Sequence, residues 1–396
     1  MRPALLPLAL LPLALLPLLV ATACSSPAPA PAVSAEASAG PVRDREPDEN
    51  DEADPLLAEA GIAHVVVPEA FLSTMEPADN IDSPAAWTAP DGATWVIATA
   101  KEGDKGLVIY DGDTGATLRG FGTVGPGPGQ FSRPNGVAVS GDLLFVVERD
   151  NARVQVLSLP GLETRLSFGT GELRKPYGLW VRELADGARE VLVSDAYMAG
   201  VDAQDNDIVP PLDQLDRRIL RYRLTGEGEA LAAEALGGFG DTGVDGAIRI
   251  PESLWGDVAN DRLLIAEEDV ATGTGYREYS LDGRFGGRSI GVGVFNAQAE
   301  GVTLWACADG SGYWIATDQF KDRSLFHVFD RVTLEPRGAF AGETIANTDG
   351  VWLHQAGTRQ FPAGVFYAVH DDMGIGAFDW RDIAGALGLR EGCAAQ

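Results

Sequence analysis

The sequence predicts an all-β chain: a six-bladed β-propeller preceded by a signal peptide and a disordered linker. Two observations carry this. A pair of short apolar strands joined by a polar loop recurs six times along the chain. Before each copy stands an element of constant form: a polar residue, a small residue, then an apolar strand that usually reaches Trp.

At the front of the chain, residues 1–23 hold one basic residue, Arg2, and then an apolar run of Leu, Ala and Pro ending Val20-Ala21-Thr22-Ala23-Cys24. A short apolar run behind a positive charge, stopping at small residues, has the form of a secretory signal and not of a membrane span. The cysteine at the cleavage point resembles a bacterial lipoprotein signal, with Cys24 as the lipidated first residue. Residues 24–60 follow as a Ala-, Pro- and Ser-rich stretch that turns acidic. Such a composition buries too little apolar surface to offset its ordering entropy, so a flexible tether is expected. A lipidated terminus on a tether anchors a chain to a membrane without embedding it. The expected domains are therefore a signal over 1–23, a tether over 24–60 and a propeller over 61–390.

The six strand pairs are 94–99 with 106–111, 143–148 with 153–157, 191–194 with 219–224, 263–267 with 276–279, 313–317 with 325–329, and 365–369 with 376–380. Counted from Trp95, Leu143, Val191, Leu263, Tyr313 and Val365, the steps are 48, 48, 72, 50 and 52 residues. Short strands at this period are the signature of a propeller. The long step carries an acidic, Pro-broken insertion over 199–216, either a lid over one mouth or a loop beside it. The preceding elements open at Asp82-Ser83, Asn135-Gly136, Tyr177-Gly178, Glu252-Ser253, Glu300-Gly301 and Asp349-Gly350. Each is assigned as the innermost strand of a blade, where Ser or Gly suits backbones crowding an axis. Six copies close a ring and leave no long unpaired sheet edge. Residues 63–72 hold a spare strand that would complete the last blade.

In an antiparallel blade the start of the innermost strand and the end of the second strand lie at one end of the sheet. The polar residues Asp82, Asn135, Tyr177, Glu252, Glu300 and Asp349 therefore share a mouth with Lys101, Glu148 and Arg149, Asp195, Glu267 and Glu268, Asp318 and Gln319, and His370 and Asp371. Carboxylates converging on one axis raise one another's pKa unless cations sit among them. Oxygen ligands with no Cys and little His suit hard ions such as calcium. Lys101 and Arg149 are cations in this acidic setting, fit for phosphate. With four histidines in the chain, no Ser-His-Asp arrangement is indicated, and Gly125-Pro126-Gly127-Pro128-Gly129 lacks the Lys-Ser/Thr and helix of a phosphate loop. The net charge of −28, from 58 acidic and 30 basic residues, disfavours nucleic acid and favours cations or anions delivered with cations. Cys307 and Cys393 are compatible with a disulfide in an oxidising compartment or with two thiols.

These motifs resemble the β-propeller phytases, calcium-dependent enzymes that release phosphate from phytate. The resemblance spans roughly 63–383 and is closest at Ala266-Glu267-Glu268-Asp269, Glu300-Gly301-Val302, Thr348-Asp349-Gly350 and Pro362-Ala363-Gly364, with Asp82-Ser83-Pro84-Ala85-Ala86-Trp87 near the front. It implies several calcium ions held by Asp82, Glu252, Glu267, Glu268, Glu300, Glu343 and Asp349. Lys101 and Arg149 would bind phosphate, and Gln319 and Asp371 would stand near the same catalytic cleft. Ser83 replaces a second Asp of the opening motif, and Ser194-Asp195-Ala196-Tyr197 stands where the family carries a Lys. The second blade is more similar to an NHL repeat, and NHL propellers are commonly binding modules. The expected function is a calcium-dependent phosphomonoester hydrolase. Its substrate would be a small phosphate ester met as its calcium salt, and the chain a monomer, exported and lipid-anchored to a bacterial envelope. The alternatives are a non-catalytic NHL-type propeller binding a protein or glycan, and a propeller lactonase or esterase.

Overall fold

The structure is a computed structural model that describes residues 55–203 and 206–393, all within one unit, 45–396. The expected signal, Cys24 and most of the expected tether lie outside the described residues. A short helical turn, Leu57–Ala60, falls inside the 24–60 span; its Leu57 packs against Phe320, Leu325 and Ala341.

Six four-stranded antiparallel blades follow in chain order, each running from the axis outward. Blade 1 is Ile81–Thr88, Thr94–Ala100, Leu107–Asp111 and Thr117–Phe121. Blade 2 is Pro134–Ser140, Leu143–Glu148, Arg153–Ser158 and Glu163–Phe168. Blade 3 is Pro176–Glu183, Arg189–Asp195, Ile219–Thr225 and Ala232–Phe239. Blade 4 is Pro251–Asp257, Arg262–Glu267, Gly275–Tyr279 and Phe285–Ile290. Blade 5 is Ala299–Ala306, Gly312–Asp318, Leu325–Asp330 and Pro336–Ala341. Blade 6 draws Val351–His354, Val365–His370 and Gly374–Asp379 from the end of the chain and Phe71–Leu72 from its start.

The second strands are apolar on both faces because each blade is covered by its neighbours; Val96, Ile97, Leu144, Phe145, Leu264 and Ile265 are fully buried. Between blades 5 and 6 the rings of Phe326, Phe340, Phe366 and Phe378 pack with centroids 5.0 to 6.0 Å apart. Between blades 4 and 5 a fully buried Arg331 grips Asp257 through two 2.7 Å hydrogen bonds. That bidentate pair offsets the cost of burying Asp257 and holds its carboxyl below the usual range.

The spare segment at 63–72 is split between two blades. Val65–Val66 adds a fifth, parallel strand to the edge of blade 5, pairing with Phe340 and Ala341. Phe71–Leu72 then pairs antiparallel with Ala377 and Gly376 as the outer strand of blade 6. Pro68 lies between the two and has no N–H to continue a ladder. Glu69 pins the crossing, its carboxylate accepting from the backbone N–H groups of Glu343, Thr344 and Ile345 at 3.0, 2.8 and 2.8 Å. At the other terminus the last strand stops at Asp379, one residue short of the expected 380. Asp379 accepts from Arg381 N and caps a helix, Trp380–Leu387, whose Trp380, Ile383 and Ala384 are buried. Beyond it Cys393 is disulfide-bonded to Cys307, which settles the choice left open by the sequence.

Replacing Glu69 with Ala should lower unfolding free energy by about 2 kcal/mol, the scale of charge-assisted bonds to backbone amides. A urea melt unchanged from wild type would show that the crossing holds without its pin.

Candidate functional site

The six small residues of the inner strands meet at the axis. A Cβ built on Gly350 would stand 2.5 Å from Ser83 Cα, and one on Gly136 would stand 2.6 Å from Tyr177 O. Gly178 and Gly301 press on blades 4 and 6 in the same way. Gly350 N donates to Asp82 O at 3.0 Å and Gly301 N to Asp349 O at 2.8 Å, tying neighbouring blades together. In blades 1 to 5 the inner strand slips register against the second strand at this small residue and the polar residue before it. A bulge of this kind re-aims side chains. Asp82, Asn135, Tyr177, Glu252 and Glu300 are all buried at this level, and Asp349 has a side chain 14 % exposed.

The acidic residues after the second strands fall into two sets that the sequence did not separate. In blades 2 to 6 the last residue of the strand turns back onto the loop that enters its own blade. Asp195 accepts from Arg174 N and Lys175 N, Glu267 from Arg249 N and Ile250 N, and Asp318 from Asn296 N and Ala297 N. Glu148 accepts from Ser132 N, Arg153 and Gln155, and His370 Nδ1 accepts from Ala346 N. The next residue starts the loop at the mouth. Lys101, Arg149, Ala196, Glu268 and Gln319 donate their backbone N–H to Asn80, Arg133, Lys175, Ile250 and Gln298, each two residues before a ring position. Asp371 does the same to Ala346, one residue further back.

Of the expected site residues, the structure joins Asp82, Lys101, Gln319 and Asp349 directly. Lys101 Nζ lies 3.3 Å from Asp82 Oδ2 and 3.3 Å from Asp349 Oδ2, and Gln319 Nε2 donates to Asp349 Oδ1. Asn135 and Tyr177, expected at the same mouth, join them, as does Asp372, which the sequence did not single out. Asn135 Nδ2 and Tyr177 Oη donate to Asp82 Oδ2 at 3.2 and 3.4 Å, and the Asp372 carboxyl hydrogen-bonds Asp349. Glu252 and Glu300 occupy the equivalent buried ring positions of blades 4 and 5, and Glu268 accepts from Gln298 Nε2 at 3.0 Å. Glu267 is committed to backbone amides, and Glu343 is exposed on the loop that Glu69 pins.

Burial pushes the carboxyls of Asp82, Asp349 and Asp372 upward, Asp349 to about 6, with Lys101 opposing the rise. Asp82 is buried and Asp349 and Asp372 partly so; they share the Lys101 ammonium, with Lys321 also acting on Asp349, and their all-oxygen chemistry fits a hard cation. Among the described residues, no group of three or more His, Cys, Asp or Glu side chains is placed to hold a metal ion.

Beside this cluster, between blades 1 and 2, lies a pocket of about 270 Å³ whose charged lining is Lys101, Lys105, Arg133 and Arg149 together with Glu102 and Asp150. Lys105 pairs with Asp79 at 2.8 Å and Arg149 with Asp150 at 2.8 Å. Lys105 and Arg133 were not expected here; the signal for Arg133 was its place two residues before the ring position Asn135. The insertion of blade 3 leaves from the mouth end as a hairpin, Gly200–Val201 with Asp207–Ile208, and Lys175 holds it to the rim through Asp207.

A model of the NHL repeat matches residues 131–157, the first three strands of blade 2 and the end of the loop before them. No curated protein matches the chain. Among solved structures, a gluconolactonase from Xanthomonas campestris is similar at 14% identity and a TM-score of 0.47, over 78% of this chain and 86% of that one. BBS1N in complex with ARL6DN is similar at 10% identity and 0.43, over 80% and 98%. A chain of a nidogen/laminin complex follows at 14% and 0.40, over 67% and 81%.

Burial pushes Glu267 up to about 7 from 4.5 despite its amide donors and the nearby Arg277. The folded chain therefore holds this proton more tightly than the unfolded chain. The resulting stability is full below about 4.5 and is lost as pH rises through about 7. Glu267→Gln should flatten the fall in melting temperature across that window; an undiminished slope in the variant would assign it to other groups.

Proposed function

We propose that the chain is a divalent-cation-dependent hydrolase of phosphate monoesters, working at the mouth of the propeller on phytate or a related small ester. The observation that carries the reading is an adjacency. A cluster of buried carboxyls and a cation-lined pocket share one side chain, Lys101, which lies within 3.3 Å of Asp82 and Asp349 and also lines the pocket. Cations in a pocket of a chain with net charge −28 favour an anionic ligand, and the carboxyls beside them favour a metal ion accompanying it.

Asp82, Asp349, Glu252, Glu300 and Glu268 would hold calcium ions. A hard cation bound there supplies neutralisation of phosphate charge and acidification of water. The chain's own residues orient the ester. The planar guanidinium of Arg149 suits two phosphate oxygens at once, and Lys101 adds a point charge. Gln319, fixed on Asp349, would stand beside the ester, and Asp371 is assigned to the same cleft by the resemblance alone. Export and lipid anchoring at Cys24 belong to the same proposal. The NHL match favours a second reading, in which the mouth binds a protein or glycan without turnover.

Purified protein should release phosphate from calcium phytate or a simple phosphomonoester, and a chelator should abolish that release. Release that ignores the chelator would remove the metal from the reading, and no release from any phosphomonoester would leave the binding module. Arg149→Ala should cut turnover about 100-fold while calcium still raises the melting temperature as in wild type. Loss of both together would make Arg149 a structural residue.

A further inference from the structure

Lys101 has two neighbourhoods that make opposite demands on it. On one side it is the ammonium among buried carboxyls, its side chain 4 % exposed and 3.3 Å from both Asp82 and Asp349. On the other it lines the pocket that holds Lys105, Arg133 and Arg149. A second, independent feature points into the carboxyl cluster. Asn135 is fully buried, its Nδ2 donates to Asp82 Oδ2, and its side-chain oxygen has no hydrogen-bond partner. A buried amide oxygen left unpaired carries a desolvation cost that a cation would relieve. Neutral amide oxygens and carboxylates together are the donor set of a hard divalent ion.

We propose that Lys101 is the resident counter-ion of a divalent-cation site formed by Asp82, Asp349, Asp372 and the Asn135 side-chain oxygen, and that a cation entering it drives the ammonium into the adjoining pocket. The inference rests on the proposed function and adds a linkage to it. A divalent ion and an ammonium compete for the same carboxylates at close range, where like charges repel strongly. The displaced ammonium stays on a flexible four-carbon stem and has the pocket beside it, so it adds one positive charge to the anion's surroundings. Cation binding thereby strengthens anion binding, and by reciprocity anion binding strengthens cation binding. No covalent step is involved; one ion pair is exchanged for another.

Amine acylation of the full chain, read by mass spectrometry at Lys101, tests this without a variant. Labelling should be slow in chelator, rise several-fold with calcium alone, and fall again when inorganic phosphate is added to the calcium form. Calorimetry of Lys101→Met, its fold checked by circular dichroism, should show tighter calcium binding than wild type. Phosphate should then improve calcium affinity far less than in wild type, where about 5-fold or more is expected. If calcium binds and raises the melting temperature but leaves Lys101 labelling unchanged, the displacement is overturned while the proposed function stands. Unaltered or weaker calcium binding in Lys101→Met would overturn it equally. If wild type binds no calcium at all, the proposed function falls and this inference with it.

Discussion

Six inner segments converge on one axis, and at one position in each the space is so small that at four of them not even a Cβ fits. The filling of that position by Gly136, Gly178, Gly301, Gly350, Ser83 and Ser253 determines much of what lies around it. With no bulk there, the backbone of one blade comes close enough to hydrogen-bond the next, as Gly350 does with Asp82 and Gly301 with Asp349. In blades 1 to 5 the inner strand slips register at this position, and the residue before it lies at the mouth. The polar ring is therefore a by-product of closing the propeller. A fold that packs its axis this tightly receives six side chains at one rim, and their chemistry is free to vary. Asp82, Asn135 and Tyr177 on one side and Glu252, Glu300 and Asp349 on the other show that variation within one chain.

The carboxylates of this acidic chain do two kinds of work at the same rim. Asp195, Glu267 and Asp318 spend their charge on backbone amides and fix the loops that enter their blades. Asp82, Asp349 and Asp372 spend theirs on one another's neighbourhood and on Lys101. The first kind is satisfied by the protein itself. The second kind shares the Lys101 ammonium, and that difference of partner separates the two sets more sharply than acidity does.

Blade number, blade order and the identity of the inner strands were legible in the sequence, because the small residue and the apolar strand after it recur at a steady period. The division of labour within Glu267-Glu268 or Asp318-Gln319 was not. Alternation tells which residues oppose one another, but only the register against the entry loop decides which of the two faces the mouth. Asp372 escaped notice because its role depends on Asp349 beside it, 23 positions earlier in the chain. Lys105 escaped for a like reason: Arg133 and Arg149, which share its pocket, come from blade 2. The terminal helix was hidden as well. Trp380 continues the apolar pattern of the last strand, and only the capping Asp379 marks the change.

The two ends of the described chain are fastened to the same pair of blades by bonds of different kinds. The N-terminal segment is held without a covalent link, by two short pairings, the Glu69 carboxylate and the Leu57 turn on Asp322, whereas the C-terminal segment is held by a covalent link from Cys393 to Cys307. Mechanical load would take different routes through them. A pull on the N-terminal side is carried by a few hydrogen bonds at the edge of blade 5 and the rim of blade 6, so the ring would part there first. A pull on the C-terminal side passes through sulfur into the body of blade 5 and bypasses the terminal helix. The propeller is thus a ring with one peelable end and one riveted end.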